Sequence, residues 1–354
     1  MEKSAGRCYN SLCRLRDSAD RFSAARAESA RHFEERGLYI VEQHFIVAVK
    51  AIIPLFLLIA VGVFIRWRKM LTDTELEHVN RMLFNVFFFC MMFHNLYKTD
   101  VAALWKPNLV FFSLGALLLV TAAATVFVCA VEKKNRSRGA MIQGIFRSNF
   151  VLLGIPMIEN IFGPEALALP AMMIAAVVPV YNVLAVLVLE SFRGHGGFSL
   201  GKTILGVLKN PMIVGAILGA ACLFWGIHIP DPVLKPIGQI SSCTSTIALV
   251  ILGASFRLGS IGKEKRNLLI MVLGRLVVVP SLVLGAAYAL GFRGLEFVTL
   301  ISIFATPCAV ASFAMAQQLD SNADLAGNAV VITSGLSCVS LFCWIVFFEV
   351  LGVF

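Results

Sequence analysis

The chain has 354 residues, 58% of them hydrophobic and only 14% charged, with a mean hydropathy of +0.84 and a formal net charge of +9. Soluble domains carry about 25% charged residues, so an ordinary globular enzyme and a disordered protein are excluded. The basic residues are scattered through short loops rather than gathered in a stripe, which also excludes a nucleic-acid-binding protein.

An all-α polytopic membrane protein in a lipid bilayer fits these numbers. A spanning helix takes about 20 mainly apolar residues, and the apolar runs here are at least that long. The short alternating segments of a transmembrane barrel are absent. The nine cysteines form no CxxC pair and sit mostly in apolar stretches, where a free thiol behaves as a small hydrophobe.

Residues 1–44 form a polar tail with eight basic and seven acidic side chains and no signal-like apolar core. Mixed signs of this kind suit a solvated helix. Ten spans then follow, at 45–65, 73–96, 107–131, 139–161, 166–190, 201–225, 232–256, 267–291, 295–318 and 325–351. The division is a tail (1–44), a first five-helix unit (45–192), a linker (193–200) and a second unit (201–354).

Lys and Arg accumulate in cytoplasmic loops. Seventeen fall in the odd-numbered loops, Arg147 and Arg275 included, against four in the even ones. Odd loops are therefore expected inside and both termini outside.

The two units echo each other. Pro54 is followed eight residues on by Gly62, and Pro211 eight residues on by Gly219. The fourth span is expected to break at Gly154-Ile155-Pro156 and the ninth at Thr306-Pro307. Five spans per unit invert the second unit in the membrane. Inverted repeats with interrupted helices mark secondary transporters, with the site at the breaks near the midplane. Proline opens a helix by removing an amide donor and crowding the preceding turn. Freed backbone groups then need protein, water or a ligand.

Polar residues near these breaks are candidates for the substrate site. Asn149 could donate to a carboxylate through its side-chain amide. Arg147 could pair with one bidentately, or serve only as an anchor that snorkels to headgroups. Asn182 in the fifth span is a further candidate, with packing glue between helices as its bland alternative. The hydroxyl-rich run of the seventh span, with Thr244 in it, is expected to bond back to its own helix.

No carboxylate lies clearly at mid-membrane, where coupled carriers often place one. Proton or sodium coupling is therefore only weakly indicated, and no other cofactor is expected. No phosphate-binding loop, HExxH or GxSxG motif occurs, so an enzyme is not expected. The six histidines are too dispersed for a metal cluster.

From about Phe45 to the end, the chain resembles the auxin efflux carrier family, which includes bacterial malate permease-like proteins. The stretches that carry the resemblance are Pro54 to Gly62, Arg147-Ser148-Asn149 through Gly154-Ile155-Pro156, Asn210-Pro211, Leu252-Gly253-Ala254 and Ala305-Thr306-Pro307. The resemblance implies ten helices in two inverted five-helix repeats, with helices 4 and 9 broken and crossing at Pro156 and Pro307. It also implies an elevator-like motion and a small organic anion, such as malate or an auxin-like acid, bound at the crossing with Asn149 in contact. Cys90 and Thr246 stand where family members carry prolines. The short linker points to a bacterial inner-membrane carrier, and carriers of this design often work as homodimers. A cation exchanger of related fold and a non-transporting membrane sensor are the rival readings.

Overall fold

Among the described residues, the apolar runs fold entirely into helices, and one isolated bridge is the only strand-like pairing. The computed structural model describes residues 53–98, 106–193, 200–256, 262 and 264–354. The expected tail at 1–44 and most of the expected linker lie outside these residues.

In chain order, α1 is Ile53–Trp67. Next, α2 (Asp73–Met82) runs through a π turn (Leu83–Phe87) into α3 (Phe88–Tyr97). Thr72 starts α2 by a capping box: its hydroxyl accepts from the Glu75 amide, and the Glu75 carboxylate accepts from the Thr72 amide. The first repeat continues with α4 (Pro107–Val131), α5 (Asn135–Phe146), α6 (Ile155–Phe162) and α7 (Ala168–Ser191). The second half begins with α8 (Leu200–Lys209), α9 (Pro211–Phe224) and α10 (Asp231–Ser255). It continues with α11 (Lys265–Leu273), a π turn (Gly274–Val278) and α12 (Val279–Ala289), and ends with α13 (Gly294–Phe304), α14 (Ala311–Gln318) and α15 (Ala323–Val350).

Among the described residues, five helical stretches are long and apolar enough to cross a bilayer: Pro107–Val131, Pro164–Ser191, Asp231–Ser255, Lys265–Ala289 and Ala323–Val350. The expected sixth span is divided. Asn210 ends α8 in an extended conformation and caps α9, its side chain accepting from the Met212 amide at 3.0 Å. Pro211 then occupies the first helical position, where its missing N–H costs nothing.

Two helix pairs touch backbone to backbone through glycine. A Cβ on Gly253 of α10 would lie 2.1 Å from the Ile59 carbonyl oxygen of α1, and one on Gly62 would lie 2.0 Å from that of Val250. A Cβ on Gly215 or Gly219 of α9 would sit 2.5 Å from the carbonyl oxygen of Phe89 or Phe93 on α3. Small residues permit this approach, and dispersion and backbone dipoles stabilise it where lipid offers no hydrophobic drive. As expected, Thr244 bonds back to its own helix, at Ile240 O (3.1 Å); it also reaches Phe87 O of the π turn at 3.3 Å.

Around the interrupted segments, α5 packs against α4, α7, α11 and α15, and α13 against α6, α7 and α12. Side-chain bonds tie this region to α2 and α3. Asn80 of α2 donates to Ala314 O at 3.3 Å, and Asn182 of α7 donates to the Met92 sulfur of α3 at 3.1 Å.

Candidate transport site

Two breaks face each other in the interior. Helix α5 stops at Phe146, and Arg147 and Ser148 run extended before a π turn (Phe150–Gly154) restarts the helix into α6. Helix α13 stops at Phe304, and α14 begins at Ala311. The exposed backbones pair as a short antiparallel bridge, Ser148 against Cys308. The Asn149 amide donates to Pro307 O at 2.8 Å, and the Ala309 amide donates to Arg147 O at 3.3 Å. The Cys308 amide is taken by Thr333 Oγ1 of α15 at 3.1 Å. Each break thus satisfies backbone groups that the other leaves open, as a buried non-helical segment requires.

The first break therefore stands at 147–149, not at Gly154-Ile155-Pro156. Pro156 comes just after the π turn, six residues into the restarted helix, so it accompanies a change of helical pitch and not the break. Gly154 serves close packing instead, since a Cβ there would lie 2.7 Å from the Ser302 Cβ of α13. In the second half, Thr306 and Pro307 lie within the break, as expected. The Thr306 hydroxyl bonds back to Ser302 O at 2.8 Å.

Arg147 is no interfacial anchor. It is buried at 4% exposure, and its guanidinium donates to the Met315 sulfur and to Asn182 Oδ1. Asn182 in turn donates to Val178 O at 2.9 Å as well as to Met92. Asn149 is buried at 6% exposure, and its amide nitrogen Nδ2 has no hydrogen-bond partner among the described residues. Between these two residues, Ser148 donates to the Tyr181 hydroxyl at 3.1 Å, and that hydroxyl donates to Ile303 O at 3.2 Å. The structure thus brings Arg147, Asn149, Asn182, Thr306 and Pro307 to one crossing.

A residue assigned to a loop by its charge belongs here too. Arg275 lies fully buried in the π turn between α11 and α12. Its guanidinium donates to five carbonyls: Thr306 O at 2.7 Å, Phe304 O at 2.9 Å, Phe146 O at 3.0 Å, Ile303 O at 3.2 Å and Ile145 O at 3.3 Å. The signal was present in the sequence, because an arginine eight residues inside an apolar run is a functional candidate by default. Without Arg147 and Arg275 the odd loops still hold fifteen basic residues against four. Neither arginine takes part in an ion pair among the described residues.

A family model described as "Membrane transport protein" matches residues 47–197 and, a second time, 195–345. The chain belongs to this family. The resemblance to auxin efflux carriers is thereby borne out, and the family's two-repeat architecture matches the paired breaks. A relative described as an uncharacterized transporter, from Methanothermobacter thermautotrophicus, is 21% identical over 306 residues, covering 85% of this chain and 98% of the relative. This member of the membrane transport family is a multi-pass transporter.

Proposed function

We propose that the protein is a secondary carrier of a small organic anion, with the carboxylate held by Arg147 and Asn149 at the crossing. The observation that carries this reading is a buried guanidinium without a counter-charge among the described residues, two residues from a buried amide donor with no partner among them. Burying a lone cation costs several kcal/mol, and its present contacts, a thioether and a neutral amide, offset little of that. An incoming carboxylate would supply the missing charge and accept from Asn149 Nδ2, making charge-assisted bonds about twice as strong as neutral ones. Asn182 would release Arg147 Nη2 to the ligand or hold it in place.

The charge arithmetic has a transport consequence. With Arg147 and Arg275 both buried there, the empty crossing carries two positive charges, and a bound monocarboxylate lowers this to one. A dicarboxylate leaves the loaded crossing neutral. Either way net anion movement is electrogenic, worth about 2.3 kcal/mol per charge per 100 mV. The reading includes ten spans in two inverted repeats, elevator-type exchange, both termini outside and a bacterial inner membrane. The excess of basic residues in the odd loops, fifteen to four with the two buried arginines set aside, supports that orientation.

The test is malate and monocarboxylate uptake into proteoliposomes under an imposed potential, with no proton or sodium gradient. Potential-driven uptake is expected, and no uptake of any carboxylate under any gradient would remove the proposal. In the same assay Asn149→Ala should lower flux at least about tenfold, the value of one hydrogen bond to a charged group, with insertion intact. Undiminished flux would take Asn149 out of the site.

A further inference from the structure

We infer that Arg275 is a tethered counter-cation, filling the carbonyl cluster that a free monovalent cation would otherwise occupy at the crossing. Five main-chain oxygens converge on its guanidinium from two half-helices and the second break, at 2.7–3.3 Å. Ile145 and Phe146 close α5; Ile303 and Phe304 close α13; Thr306 follows. These are the negative ends of two helix dipoles. Unwound carbonyls and half-helix C-termini are where transporters with broken helices coordinate a coupling cation. Here a guanidinium, planar and permanently charged, takes that place.

The geometry separates the two buried arginines. Arg275 has five carbonyl acceptors and is fully enclosed, so it serves the scaffold of the crossing. Arg147, with a sulfur and one amide oxygen, is left to a ligand. The carrier therefore needs no sodium to hold its breaks together. The inference does not depend on which anion is carried, because its test reads cation binding and not flux.

The experiment is thermal melting of purified full-length protein in sodium chloride, choline chloride, or choline chloride with a few millimolar guanidinium, at constant ionic strength. Wild type should melt at the same temperature in all three. Arg275→Ala should melt about 5 °C or more lower and recover at least half of that loss, saturably, with guanidinium or sodium but not with choline. A merely structural role would lower the melting temperature without this cation-selective rescue. Arg275→Lys, which keeps a charge, should melt between the two and gain little from added cation. Saturable stabilisation of wild type by sodium over choline would overturn the inference, as would an Arg275→Ala protein indifferent to every cation. If Arg275→Ala yields no folded protein, the wild-type comparison and Arg275→Lys decide it on the same criteria.

Discussion

Replacing Arg147 by methionine is expected to reduce carboxylate flux at least about 30-fold, while the melting temperature stays level or rises. The two effects have one cause. Arg147 is a buried cation whose partners are a thioether and a neutral amide oxygen. Methionine keeps most of the volume, and exchanging buried charged groups for well-packed apolar ones is often neutral or stabilising. The anion, in contrast, would lose its counter-charge. Removing one side of a buried charge pair costs about 2–5 kcal/mol, and each 1.4 kcal/mol is about tenfold. Arg147→Lys should retain part of the flux, because the charge stays and the bidentate fork is lost. Flux and melting measured on the same preparation check the pair. Full flux in Arg147→Met would refute the role of Arg147, and a large fall in its melting temperature would mean that the arginine is structural.

The second large effect is expected at the contact between α1 and α10. Gly253→Ala should destabilise the protein by roughly 3 kcal/mol or more, at the upper end of overpacking costs. A Cβ there meets the Ile59 carbonyl oxygen at 2.1 Å and its carbonyl carbon at 2.9 Å. Both are backbone atoms, so no rotamer change relieves the clash and the helices must part. Gly62 meets Val250 O in the same way from the other side. Gly285, by comparison, has nothing within 4 Å of its Cβ position, so Gly285→Ala should melt near wild type. Thermal aggregation curves of the two variants check this, and similar melting would show that the close approach stabilises nothing.

The membrane character, the helical spans and the pairing of the two halves are legible in the sequence because they rest on composition and on proline. A run of about 20 apolar residues has few alternatives to a spanning helix. Pro307 does lie in its break, although proline alone does not stop a helix here, since α7 runs through Pro179 and α10 through Pro236. Asn149, Asn182 and Arg147 stand out as polar residues in apolar runs.

The first break is different. Pro156 is the visible helix breaker, but the chain is helical on both sides of it, and the interruption lies at Arg147–Asn149. No local residue there forbids a helix. The extended conformation is held by pairing with Pro307 and Ala309, more than 150 residues away. Arg275 shows the same limit. Its charge placed it in a loop, but five carbonyls supplied by other helices hold it inside. The sequence determined which segments are apolar enough for a membrane, because hydrophobic transfer depends on each segment alone. Only the tertiary structure decided where the chain unwinds and that both arginines lie buried beside the breaks. Backbone groups freed inside a membrane protein must find partners across the fold, and those partners settle the conformation.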